Sequence, residues 1–194
     1  MCGPSSRALP PWTPKPNGHL EEAISKVQAS QQYRQHAQLF WNRGPVSGPR
    51  FAVVPPEKCG PDLFQPIVGR GSAFADFDED GDLDVILTQI NGPPLFLRND
   101  QELDHHWVRL RLIGTKANRD AIGAWARVSA GGRTLSLQVM PTKGYLSQSE
   151  LVLTFGLGTA SKVDSVEITW PGGGGQKVGD VKVDAVNVIR QTTR

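Results

Sequence analysis

An acidic stretch of nine residues, from Asp76 to Asp84, constrains this chain more than any other feature of its sequence. It reads Asp-Phe-Asp-Glu-Asp-Gly-Asp-Leu-Asp, so six of its nine side chains are carboxylates. Left bare, such closely spaced negative charges repel one another, and proteins tolerate that density mainly where a cation neutralises it. Ca²⁺ takes roughly six to eight oxygen ligands, which several short carboxylates in one tight loop can supply. The stretch therefore predicts a calcium loop.

The beginning of this stretch matches an EF-hand loop, but its end does not. Carboxylates occupy EF-hand positions one, three and five and Gly81 occupies position six, whereas Leu87 stands at position twelve, where an EF-hand has a bidentate glutamate. The flanking residues, 71–75 and 85–88, are too short and too rich in small or β-branched side chains to be helices. We therefore predict a metal-binding hairpin between two strands.

The metal ligands within this hairpin are assigned to alternate carboxylates. Residue 84 closes the loop in place of a distal glutamate, residue 82 contributes through its carbonyl or its carboxylate, and Glu79 points to solvent. The assigned ligands are Asp76, Asp78, Asp80, Asp82 and Asp84. One alternative is an acidic turn whose charges are simply solvated, since Asp and Gly both favour turns. The other is a Mg²⁺ site, which uses fewer carboxylates and retains more water.

Composition excludes several classes of function. The formal net charge is +2, and Lys and Arg are scattered, which argues against a dedicated nucleic-acid or membrane surface. No apolar run reaches the length of a membrane span, and the proline-rich beginning lacks the basic and apolar regions of a secretion signal. Cys2 and Cys59 fit no zinc-binding spacing and leave both a disulfide and two free thiols open.

Turn and breaker residues divide the chain into three parts. The first is rich in Pro, Gly and Ser, and apolar residues recur at helical spacing only from Leu20 to about Gln35. The second contains the acidic loop, and the third is a series of short strands with glycine-rich turns. That series favours a sandwich or barrel. The predicted parts are residues 1–38, 39–104 and 105–194.

Alternation of apolar residues locates individual strands in the third part. Val108, Leu110 and Leu112 lie on one face of a predicted strand, and the two arginines between them lie on the other. The glycine pair 131–132 predicts a tight hairpin turn, and the glycine run 172–175 predicts a flexible loop. Strands are expected at residues 107–112, 125–130, 133–140, 151–155, 163–170 and 183–189.

Longer motifs resemble two known families. The segment from Val68 to Asp84 resembles the FG-GAP/VCBS repeats of integrin-like β-propellers. Further motifs, in the expected order, resemble the ASPIC/UnbV domain. They are His106-Trp107, Asn118-Arg119-Asp120-Ala121-Ile122-Gly123-Ala124, Gly144-Tyr145-Leu146-Ser147-Gln148-Ser149, Phe155-Gly156-Leu157-Gly158 and the segment from Val163 to Pro171. Together they resemble the C-terminal part of cartilage-acidic-protein-like propeller proteins.

The resemblance implies a mainly β fold, with one or more partial β-propeller blades and a calcium hairpin, followed by a small β-sandwich or barrel-like domain. It also implies an extracellular or cell-envelope location and a role in cell adhesion, through protein or glycan ligands. A closed propeller needs about four blades, more than residues 1–104 can supply, so we expect this chain to be part of a longer protein. Unpaired strand edges would then favour self-association.

The rival hypothesis is an enzyme, or an accessory protein of secondary-metabolite or carbohydrate metabolism. A glycosidase needs two carboxyl groups that face each other across a sugar, and one local loop does not provide them. His105 and His106 point to opposite sides of a strand, and Ser147 and Ser149 form no nucleophile elbow. We interpret the surrounding segment as a structured turn with Tyr145 packing beneath it. No catalytic residue is assigned, and the chain is predicted to be non-enzymatic.

Overall fold

A computed structural model describes Lys26 and residues 34–44, 47–101 and 103–192. Strands dominate this part of the chain, so the prediction of a mainly β fold is confirmed. The strands form several small sheets, and among the described residues no sheet closes into a barrel. No helix in the described part is long and apolar enough to cross a membrane. The helix predicted from Leu20 and the proline-rich segment before it fall almost entirely outside these residues.

The first of two compact units comprises Met1–Gly69 and Ile90–Gly92. Its described part contains an antiparallel pair, β1 (Phe40–Asn42) and β2 (Phe51–Val53). Two short 3-10 helices, Pro56–Lys58 and Pro61–Phe64, follow it. Each begins with proline, whose fixed φ angle suits the first helical position. The few buried apolar side chains of this unit include Ile67 and Val68, whereas the aromatic side chains of β1 and β2 are exposed.

The second unit comprises Arg70–Gln89 and Pro93–Arg194, so it contains the acidic stretch together with everything that follows. The acidic stretch joins β3 (Gly69–Ala75) to β4 (Asp84–Gln89), and β4 pairs antiparallel with β5 (Leu95–Leu97). These strands form one sheet in the order β3, β4, β5. The prediction that the acidic stretch connects two strands, rather than two helices, is confirmed. We call β3, β4 and the loop between them the acidic hairpin.

Nine further strands build the rest of the second unit. In the first sheet, β6 is central, with β11 antiparallel on one side and β14 parallel on the other. The second sheet has the antiparallel order β13, β12, β7, β8, and β9 pairs with β10. The strands are β6 (His106–Ile113), β7 (Trp125–Ala130), β8 (Arg133–Gln138), β9 (Thr142–Gly144), β10 (Ser147–Gln148), β11 (Leu153–Gly158), β12 (Ser165–Thr169), β13 (Gly175–Val178) and β14 (Val186–Arg190).

Both larger sheets contribute to one hydrophobic core. Val108, Leu110 and Leu112 of β6 are buried, which confirms the predicted inward face of that strand. They belong to one cluster with Phe155 of β11 and Ile168 of β12. Each fully buried aliphatic or aromatic side chain of this kind stabilises the fold by about 1.5 to 3 kcal/mol relative to an exposed one. Apolar burial therefore holds the two sheets together.

The structure tests the prediction for only one of the two glycine-rich turns. Gly131 and Gly132, between β7 and β8, both have positive φ, as a type I′ hairpin turn requires, and this turn is confirmed. The glycine run 172–175 lies at the connection between β12 and β13, and its predicted flexibility stays a prediction. The run forms a hydrogen-bonded turn between β12 and β13, in which Gly173 N–H donates to Trp170 O and Trp170 N–H donates to Gly174 O.

Candidate metal centre

Three carboxylates of the acidic hairpin converge on one point. One carboxylate oxygen from each of Asp76, Asp78 and Asp84 lies within 4.8 Å of the other two. Oxygens on opposite sides of a Ca²⁺ ion are separated by about 4.6 to 5.2 Å, twice the usual calcium–oxygen distance. Asp76 and Asp84 are buried and Asp78 is exposed, so the group is open on one side. The spacing suits a single hard cation.

Asp76 has one carboxylate oxygen with partners and one without. Its Oδ2 accepts a hydrogen bond from Gly81 N–H at 3.0 Å and forms an ion pair with Arg109 Nη1 at 2.9 Å. Its Oδ1 is buried and, among the residues described, accepts no hydrogen bond. A buried carboxylate oxygen without a partner is unfavourable by about 1 to 3 kcal/mol or more, because it has lost its water. The residues present therefore fit a cation bound at Oδ1.

Asp84 closes the acidic hairpin from within. Its side chain is almost completely buried. Its Oδ2 accepts a hydrogen bond from Phe77 N–H at 2.9 Å, and its Oδ1 accepts one from Asn99 N–H at 2.8 Å. Hydrogen bonds to an ionised carboxylate are short and strong, and each oxygen retains a further lone pair for a metal. Asp84 thus connects the end of the loop to its beginning and to the segment that follows β5.

Asp80 and Asp82 lie outside the converging group. Asp80 Oδ1 accepts a hydrogen bond from Asp82 N–H at 2.9 Å, which shapes the turn locally. Partial burial, and then the negative charge of Asp80 and of the three converging carboxylates, raise the pKa of Asp82. Glu79 is exposed, with φ of 62°. The assignment of Asp80 and Asp82 as ligands remains a prediction.

Gly81 allows the loop to pass beneath the indole ring of Trp107. Its φ of 100° favours glycine, and a Cβ atom built there would lie 2.1 Å from two atoms of that ring. Two independent constraints, backbone conformation and close approach, therefore require glycine at this position. The contact also places the β6 strand directly against the acidic loop.

Arg109 is the residue that the sequence did not reveal as part of the site. It lies on β6, on the face opposite the apolar core, yet it is only 3% exposed. Its guanidinium group forms ion pairs with Asp76 and Glu150, and its Nε donates to Thr154 Oγ1 at 3.1 Å. An arginine that alternates with aliphatic residues in a strand is typical of a solvent-facing side. The partners of Arg109 come from the acidic hairpin, from Glu150 and from β11, so its burial depends on contacts far away in sequence.

The serines of the segment 144–149 hold the acidic hairpin in place. Ser147 Oγ accepts a hydrogen bond from Ser72 N–H at 2.9 Å, and Ser149 Oγ accepts one from Phe74 N–H at 3.2 Å. Both serines are buried. The interpretation of this segment as a turn with Tyr145 packing beneath it is wrong in its second part, because Tyr145 is 69% exposed. The small hydroxyl groups, rather than the ring, take the side that faces β3.

His106, the second of the two adjacent histidines, contacts an aspartate that also binds the backbone of β6. His106 Nδ1 lies 2.7 Å from Asp184 Oδ2, and Asp184 Oδ1 accepts a hydrogen bond from Trp107 N–H at 3.0 Å. Burial by itself raises the pKa of Asp184, but the hydrogen bonds from Trp107 and His106, with the charge of His106, outweigh burial and lower it. In the described part, no cluster of three or more metal-ligating side chains includes a histidine.

An open cavity of about 400 Å³ lies beside the acidic hairpin within the second unit. Trp125, which is 48% exposed, and Met140 stand at its apolar wall, and Lys143 and Glu150 supply charges. Apolar, aromatic and charged side chains therefore line this cavity together. The complete lining is Phe74, Leu83, Trp125, Ser136, Leu137, Gln138, Met140, Lys143, Glu150, Val152, Leu153 and Thr154.

Comparison with curated proteins shows similarity to cartilage acidic protein 1. The Xenopus tropicalis protein is 32% identical over 156 residues, which cover 72% of this chain and 24% of the relative. The human protein is 34% identical over 115 residues, which cover 54% of this chain and 16% of the relative. The chain thus spans about a quarter or less of the length of the curated relatives it matches.

Comparison with protein families places a match in the last part of the chain. Residues 114–194 match the family model described as ASPIC and UnbV. The match begins directly after β6, although β6 is the central strand of its sheet, so the folded unit extends beyond the matched segment. The resemblance of Val68 to Asp84 to an FG-GAP repeat remains a prediction. The resemblance to ASPIC/UnbV is confirmed, and this chain contains an ASPIC/UnbV domain and is homologous to cartilage acidic protein 1.

Proposed function

We propose that this chain is a non-enzymatic, calcium-binding recognition module of an extracellular protein. The observation that carries the proposal is the convergence of Asp76, Asp78 and Asp84, together with the buried Oδ1 of Asp76, which accepts no hydrogen bond among the described residues. In this proposal the acidic hairpin is an FG-GAP-type element of an integrin-like propeller, and the ASPIC/UnbV domain adjoins it. Ca²⁺ acts on structure rather than on a substrate.

Each acidic residue has a defined part in holding the ion. Asp76 would bind through Oδ1, since its Oδ2 is already engaged, and Asp84 would bind while its backbone hydrogen bonds keep the loop closed. Asp78 would complete the converging group from the exposed side, and Asp80 and Asp82 are the further ligands assigned from sequence. When bound, the ion neutralises the mutual repulsion of these carboxylates.

The same contacts argue against catalysis by these carboxylates. A general acid or base needs a carboxyl group that can exchange a proton with a bound substrate. Asp76 and Asp84 are buried, and their oxygens are committed to backbone amides, to Arg109 and, in this proposal, to the ion. Acidic groups held in this way can support a loop but cannot reach a substrate.

An extracellular location is part of the proposal, and it follows from the relatives and from calcium supply. The relatives carry the name cartilage acidic protein 1, and cartilage is largely extracellular material. Extracellular calcium-binding modules work with dissociation constants of about 10⁻⁴ to 10⁻³ M, so millimolar calcium outside the cell would fill even a weak site here. The partners proposed are extracellular proteins or glycans, for which the cavity beside Trp125 offers a surface.

The test is calorimetric titration with CaCl₂, combined with thermal unfolding, of three forms of the full chain. Wild type should bind about one ion and should melt at a higher temperature in calcium than in EDTA, because a ligand selective for the folded state stabilises it. Asp78→Asn should weaken binding by roughly tenfold or more, since it removes an exposed ligand without opening the core. Asp120→Asn, which changes an exposed carboxylate elsewhere, should behave as wild type.

The proposal is contradicted if wild type gives neither binding heat nor a shift in melting temperature at millimolar calcium. It is equally contradicted if Asp78→Asn and Asp120→Asn reduce binding by the same amount, because calcium would then be attracted only by overall negative charge.

A further inference from the structure

We propose that Arg109 couples the calcium loop to the sheets of the ASPIC/UnbV region, so that ion binding and the packing of β6 and β11 stabilise each other. This inference rests on the proposed function, because it concerns the same ion site. The inference goes beyond the proposed function because it assigns a positioning role to a residue that binds no metal itself. It also predicts that residues without any contact to the loop control calcium affinity.

The guanidinium group of Arg109 connects two strands of the sheet to the acidic loop. On one side, Nη1 lies 2.9 Å from Asp76 Oδ2. On the other side, Nη2 contacts Glu150 Oε2 and Nε donates to Thr154 Oγ1 of β11. A guanidinium is planar, and its donors have a fixed geometry. A shift of Glu150 or Thr154 must therefore shift the group that holds Asp76.

The two oxygens of Asp76 have different partners, which connects the Arg109–Asp76 ion pair to metal binding. Arg109 and Gly81 N–H both engage Oδ2, which fixes the carboxylate plane and leaves Oδ1 for the ion. A carboxylate already held in the binding orientation loses less rotational freedom when the ion arrives. Arg109 therefore promotes binding by position, although its own positive charge opposes a cation.

Charge balance supports the need for a second cation next to Arg109. The buried or half-buried carboxylates around it are Asp76, Asp84 and Glu150, and Asp78 adds a fourth from the exposed side. Arg109 and, on the exposed side, Arg98, whose Nη1 lies 3.9 Å from Asp78 Oδ2, offset two of these four charges. Buried charges are unfavourable unless they are paired. Arg109 and a divalent ion together therefore balance the site far better than either does alone.

A separate set of contacts makes the connection rigid. Ser147 and Ser149 accept hydrogen bonds from two backbone amides of β3, those of Ser72 and Phe74. In addition, Glu150 N–H donates to Phe74 O at 3.0 Å. The strand that leads into the calcium loop is thus fixed to the segment that carries Glu150. A displacement on either side is transmitted, because no flexible link intervenes between these hydrogen-bonded groups.

The experiment measures calcium affinity in variants that change the connection at increasing distance from the loop. Arg109→Lys keeps the charge but loses the planar fork, and we expect its affinity to fall roughly fivefold or more, the lower range of typical coupling between sites. Thr154→Val removes the partner of Arg109 Nε, and it should lower affinity in the same direction although Thr154 makes no hydrogen bond to the loop in the described part. Thr169→Val, at an exposed strand position, is the matched control.

The reciprocal effect is measured by hydrogen exchange of the full chain with and without CaCl₂. If the packing of β6 and β11 favours ion binding, linkage requires that ion binding stabilises this packing to the same extent. Calcium should therefore slow amide exchange in both strands in wild type, and this slowing should be smaller in Arg109→Lys. If the ion pairs of Arg109 were purely structural, Arg109→Lys would lower stability equally with and without calcium and would leave the calcium-dependent difference in exchange unchanged.

The outcomes separate this inference from the proposed function. If wild type binds no calcium, the calcium site itself is contradicted. If wild type binds calcium and both Arg109→Lys and Thr154→Val bind it with unchanged affinity, the site stands and the coupling is overturned. Should Arg109→Lys fail to fold, Thr154→Val alone decides, because replacing the hydroxyl by a methyl group of similar size removes the partner of Arg109 Nε without opening a cavity.

Discussion

The acidic hairpin and the two larger sheets behind it are held together by opposite physical means. The sheets share a core of aliphatic and aromatic side chains with almost no exposed surface, such as Leu110, Phe155 and Ile168. The hairpin buries charged groups instead, and each of them needs a hydrogen bond, an ion pair or a cation. The apolar contacts of the core therefore involve no charge that an ion could neutralise, whereas the contacts within the hairpin should depend directly on a cation.

The largest expected effect tests the apolar side of this comparison. Phe155→Ala removes a nearly completely buried ring from the core, and we expect the free energy of unfolding to fall by about 3 to 5 kcal/mol. The loss should appear both in calcium and in EDTA, as measured by urea unfolding under both conditions. Val188→Ala, at an exposed position of β14, is the control and should change little. A Phe155→Ala loss that disappears in EDTA would contradict the comparison.

A smaller effect tests the hairpin through two glycines of nearly equal backbone conformation. Gly81 has φ of 100° and Gly173 has φ of 99°, but only at Gly81 would a Cβ atom meet the Trp107 ring. Both alanine variants carry the strain of a positive φ, of about 1 to 3 kcal/mol. Gly81→Ala should in addition displace Trp107, lower stability further and weaken calcium binding in the same titration. Equal losses in the two variants would show that the loop does not pack as described.

The smallest expected effect is a pH dependence of stability, and it arises away from the three converging carboxylates. Because hydrogen bonds lower the pKa of Asp184 below its ordinary value of 3.8, the folded state favours its ionised form. Its contribution to stability is therefore present above that value and is lost as the pH falls through the lowered pKa. Unfolding in EDTA from pH 6 downwards should show this loss in wild type and not in Asp184→Asn. A wild-type profile that matches Asp184→Asn throughout would contradict it.

The parts of the fold that were predicted correctly are those with a local cause. The alternation of Val108, Leu110 and Leu112 identified an inward strand face, and the pair Gly131-Gly132 identified a hairpin turn. In each case the preferred backbone conformation of a few neighbouring residues decides the structure. The spacing of the aspartates likewise located a loop in which three of them converge.

The structural features that the sequence did not predict have no local cause. Arg109 and Arg111 stand two residues apart on the same face of β6, and nothing in their immediate sequence distinguishes them. Arg109 is buried and Arg111 is exposed, and Arg109 has partners at Asp76, Glu150 and Thr154 that its own sequence neighbours do not announce. Similarly, the glycine run after β12 becomes a strand-connecting turn only because β13 pairs with β12.

The sequence by itself determined the acidic loop, its connection to strands and the mainly β character of the chain, since these depend on charge spacing, turn residues and alternation over a few positions. The tertiary structure alone decided which carboxylates meet, which arginine neutralises one of them, and that Ser147 and Ser149 anchor the hairpin. The contacts of Arg109 with Asp76, and of the two serines with β3, join residues about thirty to seventy-five positions apart. No local preference encodes such pairs, because they exist only once the apolar core has brought the strands together.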